Sequence, residues 1–448
     1  MWVIGESDTA IVRTDGLRER EWVRVETRSR PKQVLLDPRL RTRDWNMLNN
    51  AWRRGWLWPS REPKVEHYLD TWFSRRSARD HRTHGWLPTV WYNDAAGITL
   101  GLRSRSDYFG RFAMDVAMLS YGTGWESDRD VQDQDSWVRV RNPLSLRSPG
   151  MSQQLDAYNV EGRFGARLGL ERTRYSHLGW GPVWREGASL TWVEPDDSRY
   201  LDPGYYEDAG TVELALTGGV TDQRNGWSFA SSLSAGGGLA YNNDGLLAAT
   251  GRPDLDPFYG RLTVEATARR LTAPWGLGLR FYGGVATSGS APPKQRQIYI
   301  AGADPLQQFG NPFLRSDGAL LVRPDVYYHA PGGGNLRGFD PRLSAEGLVA
   351  VNLEVERTLV SRQQGKLFRR VAVAGFGDAG HTIGAGGTSR FLADAGVGLR
   401  AEHQIGQTRF TTRADFPLVV NRPRLAQDRD PGTDEFGFRW AFSFSPAF

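Results

Sequence analysis

With 448 residues and 50.1 kDa, the chain is long enough for two or three soluble domains or for one large barrel with a small appendage. It carries 52 Gly, 20 Phe, 15 Tyr and 17 Trp, and a mean hydropathy of −0.51. That composition is β-rich, and without ~20 uninterrupted apolar residues anywhere it excludes a helical membrane protein but not a β-barrel, where only every second residue meets lipid. The net charge is only +5 and the basic residues are spread along the chain, nearly all of them Arg, with Lys32, Lys64, Lys294 and Lys366 the only lysines. This argues against a nucleic-acid partner, and zero cysteines exclude disulfides, thiolate metal sites and cysteine nucleophiles.

The texture changes near Gly85. Residues 1–60 carry short β-like runs, Trp22–Glu26 and Gln33–Leu36, with a helical turn expected around Asp44–Trp52, and resemble the end of a small periplasmic β-rich domain. Residues 61–85 are charged and expected as a linker. Met1-Trp-Val-Ile-Gly-Glu has no basic stretch followed by an apolar core, so no signal peptide is expected there.

Residues 86–448 read as segments with a period of two, separated by Gly, Asp, Asn and Pro clusters. About sixteen strands are expected: Trp86–Tyr92, Ile98–Arg105, Arg111–Tyr121, Trp137–Leu144, Tyr158–Thr173, Gly181–Val193, Thr211–Thr221, Trp227–Ala240, Tyr259–Leu271, Trp275–Thr287, Gln297–Ala301, Gly347–Leu359, Val371–Asp378, Ala393–Glu402, Arg409–Leu418 and Phe436–Phe444. One face of each is apolar and the other mixes charge with glycine. Val349, Val351, Leu353 and Val355 alternate with Ala350, Asn352, Glu354 and Glu356, and Phe436, Phe438, Trp440, Phe442 and Phe444 share a face. A soluble barrel would turn its apolar face inward and carry polar residues outside. Opposed charges on the other face suit a wet or ion-paired lumen, so the fold class is an all-β, antiparallel transmembrane β-barrel. With the amino end in the periplasm, the long polar stretches Gly122–Ser136, Glu194–Gly210, Ala303–Glu346, Gly380–Arg390 and Val420–Glu435 are expected outside. The short turns Ser106–Gly110 and Gln404–Gln407 are expected at the other rim.

The stretch 303–346 is far longer than an ordinary hairpin loop and contains Gly332-Gly333-Gly334-Asn335-Leu336-Arg337-Gly338-Phe339, with five strands still to follow. Together with Gly375-Phe376-Gly377-Asp378-Ala379-Gly380, Arg413-Ala414-Asp415-Phe416-Pro417-Leu418 and a terminal Phe448, this resembles the outer-membrane Omp85 superfamily (the surface-antigen D15 domain). The resemblance implies a sixteen-stranded barrel whose sixth extracellular loop folds back into the lumen. It also implies a loop-tip lock made by Arg337, Gly338, Phe339, Asp378 and Gly380, and a barrel-assembly signal at the carboxyl end, here Trp440, Phe442 and Phe448. Physical chemistry supports the carry-over. Arg337 offers a rigid fork of donors and Asp378 faces the lumen by parity, so a bidentate pair would pin the loop across the pore, with Gly338 allowing close approach and Phe339 forming an apolar plug. Glu354, Arg413 and Asp415 are expected as lumen polar residues.

Members that handle polypeptide usually carry periplasmic POTRA modules, which residues 1–85 do not resemble. Val34-Leu35-Leu36-Asp37-Pro38 with Asp44-Trp45-Asn46 and Leu48-Asn49-Asn50 instead resembles the carboxyl end of M1-family metallopeptidases, some of which run into a barrel. No H-E-x-x-H and no G-x-S-x-G occurs among these residues. His81 and His84 read as solvated, His329 and His381 lie in or beside loops, and Asp128, Asp130, Asp133 and Asp135 read as a solvated acidic loop. No enzyme activity, metal or other cofactor is expected of this chain.

Three functions follow as expectations. The first is insertion or translocation of polypeptide at the outer membrane, through a weak seam between first and last strands consistent with Pro88 and Pro446. The second is a membrane anchor for a fused periplasmic peptidase. Passive diffusion is third, disfavoured if the loop tip plugs the lumen. Expected partners are outer-membrane lipid, lipopolysaccharide and a polypeptide client or the fused peptidase.

Overall fold

A computed structural model describes residues 1–13, 22–39, 50–54, 65–71, 81–93, 95–108, 112–127, 129–143, 150–176, 181–242, 255–289, 291–305, 329–362, 368–384, 389–405, 408–426 and 433–443. The chain divides into two compact units, Met1–Leu87 with Ser104–Asp115, and Pro88–Arg103 with Val116–Phe448.

In the first unit, β1 (Trp2–Gly5), β2 (Thr9–Ile11), β3 (Pro31–Leu35) and β4 (Ala51–Arg53) form an antiparallel sheet ordered β2-β1-β3-β4. Ala51–Arg53 is thus a strand where a helical turn was expected, and Asp44, Trp45, Asn46, Leu48 and Asn49 of the peptidase-like stretch lie outside the described residues. The 61–85 segment is not only a linker. It holds β5 (Val65–Leu69) and the start of β6 (Arg82–Asn93), which pair in parallel. That pairing is tied by polar contacts: His81 Nε2 lies 2.9 Å from Glu66 Oε2, and Trp86 Nε1 donates to His67 Nδ1 at 3.2 Å.

The remaining barrel strands are β7 (Gly97–Tyr108), β8 (Phe112–Gly122), β9 (Gln134–Pro143), β10 (Met151–Val160), β11 (Arg163–Tyr175), β12 (Val183–Pro195), β13 (Ala209–Arg224), β14 (Trp227–Asn242), β15 (Phe258–Thr272) and β16 (Trp275–Ser288). After a hairpin of β17 (Ile298–Tyr299) and β18 (Ser344–Ala345) come β19 (Gly347–Ser361), β20 (Phe368–Ile383), β21 (Phe391–Ile405), β22 (Thr408–Val420) and β23 (Ala441–Ser443). The sheet closes as a barrel of seventeen strands; without the short β5 it has the sixteen expected.

Two of the expected segments nevertheless differ in kind, and the errors cancel. Tyr158–Thr173 is a hairpin rather than one strand, because Glu161 (φ 48°) and Gly162 (φ 72°) form a two-residue turn between Val160 and Arg163. Positive φ at a glutamate is uncommon, which hides the turn in the sequence. Gln297–Ala301 supplies β17, which pairs with β18 inside the loop and adds nothing to the barrel ladder. Counted as one strand, Tyr158–Thr173 would set the 195–209 connection opposite the one after β8; the hairpin restores it. The long connections after β8, β12, β16, β20 and β22 then share one rim. Among the described residues, Phe436–Phe444 ladders only at Ala441–Ser443, with an isolated bridge from Phe436 to Val419, opposite a stretch of β22 where Pro417 has no N–H to give.

The period-two pattern becomes the two barrel surfaces. On β19, Val349, Val351, Leu353 and Val355 are 41–45% exposed, whereas Asn352, Glu354 and Glu356 are 0–4% exposed. Exposed outward Leu, Val, Phe and Trp recur on β11 to β16 and on β20 and β21, so the outer face is an apolar band and the inner face is polar.

Candidate functional site

In the stretch between β16 and β19, residues 332–339 turn inward, and Leu336, Arg337 and Phe339 are buried. Two glycines make the turn possible. Gly333 has φ 50°, and a Cβ there would lie 2.4 Å from the carbonyl oxygens of both Gly302 and Tyr299. A Cβ on Gly338 would lie 2.7 Å from Val420 Cγ1 and 2.8 Å from Asp394 Cβ, so only glycine lets the tip press on the wall. Leu336 and Phe339, 0% and 1% exposed, sit in an apolar cluster with Tyr282, Ile298, Leu348, Leu392 and Val420. Leu336 packs against Gly380, where a Cβ would come within 3.2 Å of it. At ~25 cal/mol per Å² of apolar surface, this burial is what makes the inward fold favourable before any ion pair is counted.

Between those two apolar side chains, Arg337 is 0% exposed. Its Nε donates to Asp378 Oδ2 at 2.8 Å and its Nη2 to Asp378 Oδ1 at 3.0 Å, the bidentate fork read from the sequence. Its Nη1 donates to Glu354 Oε2 at 2.7 Å, and its guanidinium carbon lies 3.7 Å from the ring centre of Phe376. Strand register assembles the site: Asn352 of β19, Asp378 of β20 and Asp394 of β21 stand side by side.

Glu354 is a hub. It accepts from Arg400 at 3.1 and 2.8 Å and from Arg413 at 2.8 Å, besides Arg337. Asp415 accepts from Arg400 at 2.6 Å and from Arg413 at 3.3 Å. Asn352 Nδ2 donates to Asp378 and to the carbonyls of Gly334 and Asn335 at 3.0–3.2 Å, while Arg280 donates to Asn352 Oδ1 and to the Gly333 carbonyl. The tip is therefore held through both backbone and side chain.

The structure brings Arg337, Gly338, Phe339, Asp378 and Gly380 together, and places Glu354, Arg413 and Asp415, expected as lumen polar groups, in the same cluster. Arg280, Asn352, Asp394, Arg400 and His329 were not anticipated, although lumen parity with Glu354 was signal enough for Asn352. Asp394 is the exception in the network: it is 4% exposed, and among the described residues no arginine donates to it. His329 ties the loop to the last strand. Its backbone N–H donates to the Phe442 carbonyl at 2.8 Å and its Nε2 lies 2.7 Å from Asn335 Oδ1, and burial pushes its imidazole down to about 4, leaving it neutral at pH 7.

Of the expected assembly signal, Trp440 is exposed and Phe442 lies in β23, while Phe448, like Pro446, is outside the described residues. Asp135, expected in a solvated acidic loop, is instead buried in β9, where it accepts from Ser120 Oγ and the Glu161 N–H. Asp128 is outside the described residues, and among the described residues no three His, Asp or Glu form a metal-ligating group.

No protein-family model and no curated protein matches the sequence. Among solved structures, the chain is similar to CdiB from Escherichia coli, at 12% identity and TM-score 0.39 over 80% of this chain and 61% of that one. It is also similar to BamA from Haemophilus ducreyi lacking POTRA domains 1–3, at 14% identity and TM-score 0.41 over 81% and 70% of the two chains. A bacterial polysaccharide outer membrane secretin is similar at 10% identity and TM-score 0.34 over 75% and 90%. The chain spans about six-tenths of the CdiB chain.

Proposed function

We propose that this chain is an outer-membrane barrel, with its amino-terminal unit in the periplasm, that inserts or translocates polypeptide and uses the loop tip to control the last strand. The observation that carries the reading is the bonding of one loop to two things at once. The tip is fastened by Arg337 to β19 and β20, and the same loop donates from the His329 N–H to Phe442 of β23. Among the described residues β23 ladders with β22 over three residue pairs, Arg413 to Asp415, whereas β20 and β21 ladder over thirteen. Arg413 and Asp415 belong to the ion cluster as well. Releasing the tip would thus loosen this short ladder, and a strand edge with free N–H and C=O groups is what an extended client pairs with. No step makes or breaks a covalent bond.

The test is reconstitution of the full chain in lipid vesicles with an unfolded outer-membrane polypeptide as client. Faster membrane integration or passage of the client than in protein-free vesicles is expected, and an unchanged rate overturns the proposal. An unchanged rate would leave the barrel as an anchor only, the reading in which residues 1–60 end a metallopeptidase.

A further inference from the structure

The outer face of the barrel at the short-turn rim carries an ordered alternation of arginine and tryptophan. On consecutive strands β13, β14, β15, β16 and β19 stand Arg224, Trp227, Arg270, Trp275 and Arg357. Register sets Arg224 opposite Trp227, Trp227 opposite Arg270, and Trp275 opposite Arg357. All are on the outward parity: Trp275 continues the column of Leu277, Leu279 and Phe281, and Arg357 continues that of Val351, Leu353 and Val355. The guanidinium of Arg270 lies 5.9 Å from the Trp227 ring centre and that of Arg357 lies 5.6 Å from that of Trp275. Among the described residues, none of the three arginines pairs with a carboxylate. Glu186 on this face is taken by Arg174, and the remaining outward acid of this stretch, Asp222, stands opposite Phe229.

We infer that this rim binds the phosphate of an anionic glycerophospholipid, the acyl chains lying along the apolar columns of β16 and β19. A guanidinium stacked on an indole keeps its outer N–H fork free, and at the boundary of the apolar band that fork faces phosphate rather than water. Tryptophan at the same level suits the interface because its ring is amphipathic. The directly opposed pairs hold side chains within about 5 Å at Cβ, so each arginine is oriented before lipid arrives. The inference rests on the membrane-spanning fold and is independent of what the barrel transports.

The test is native mass spectrometry of the detergent-solubilised full chain titrated with phosphatidylglycerol or phosphatidylcholine. Retention of phosphatidylglycerol over phosphatidylcholine by about tenfold is expected, near the contribution of one or two surface arginines. Arg270→Gln with Arg357→Gln should bring the two lipids to parity, while Arg185→Gln, which faces the lumen cavity, should leave the preference intact. Unheated gel mobility confirms that each variant is folded. Equal retention of both lipids by the unsubstituted chain, or a preference that survives the double substitution, overturns the site. Displacement of phosphatidylglycerol by inorganic phosphate alone would make it a plain anion site and overturn the lipid assignment.

Discussion

The two walls of the lumen are built by the same alternation and end in different physical states. On β19 to β22 the inward residues Asn352, Glu354, Asp378 and Arg413 are 0–4% exposed, packed against the loop tip as tightly as a protein core. On β12 to β15 several inward residues are small and hydroxylic. Thr217 and Ser232 border an open lumen cavity of about 310 Å³ that also meets Glu171, Arg185 and Glu265, and Ser189 lines a smaller one of about 110 Å³. Buried ion pairs contribute little net stability compared with apolar packing, yet losing one partner costs several kcal/mol. The packed wall is therefore a device for holding one loop in one place, and the hydrated wall leaves open space.

The largest effect should come from the hub. Glu354→Ala leaves three guanidinia without their shared acceptor, and at least ~3–5 kcal/mol should be lost. Unheated electrophoresis across a temperature series would show the compact form lost at lower temperature. An unchanged transition would mean that water replaces Glu354 and the two walls are alike. Arg337→Ala should follow, at about 3–5 kcal/mol, with larger and noisier currents in planar bilayers. Because Arg337 also reaches Glu354, Asp378→Ala should release the tip less completely than Arg337→Ala, and the double substitution should match Arg337→Ala alone. Additive effects would show that the two side chains do not act as a unit.

Acid should loosen the packed wall through His329. Burial lowers its pKa to about 4 from the ordinary value of a free imidazole, so the buried loop favours the neutral ring. The associated stability is complete above pH ~6.5 and falls as pH drops from there toward 4, by on the order of 3 kcal/mol. Conductance between pH 7.5 and 4.5 should rise in the unsubstituted chain and much less in His329→Gln. Equal rises in both would assign the acid response to the carboxylates.

Outward and inward faces, the inward loop and the Arg337–Asp378 pair were legible because each depends on local spacing: parity for the faces, a glycine run for the turn, a fork and a carboxylate for the pair. What stayed hidden depends on register. Nothing near Arg400 or Arg280 says that strand stagger brings them to Glu354 and Asn352. The β10–β11 turn is hidden because it uses Glu161 at positive φ, and β17 is ambiguous because a short apolar run reads the same in a barrel and in a loop hairpin. The parallel β5 was read as linker, since five residues of mixed charge carry no visible period.

The smallest effects separate the walls most finely. Asp394 is buried beside Asp378 and, among the described residues, no arginine bonds it, so the packed wall holds one acid more than its arginines serve. Asp394→Asn keeps the shape and replaces a buried acid by a neutral amide whose N–H can donate to Asp378, so the variant should be more stable by about 1 kcal/mol. Ser232→Ala on the hydrated wall removes a hydroxyl that already meets water, and should change stability by less than ~0.5 kcal/mol. Thermal transitions of both variants in the same detergent decide the matter. A loss of stability in Asp394→Asn would mean that the carboxyl itself is required. A loss of more than ~1 kcal/mol in Ser232→Ala would mean that the second wall is packed too, contrary to its open cavity.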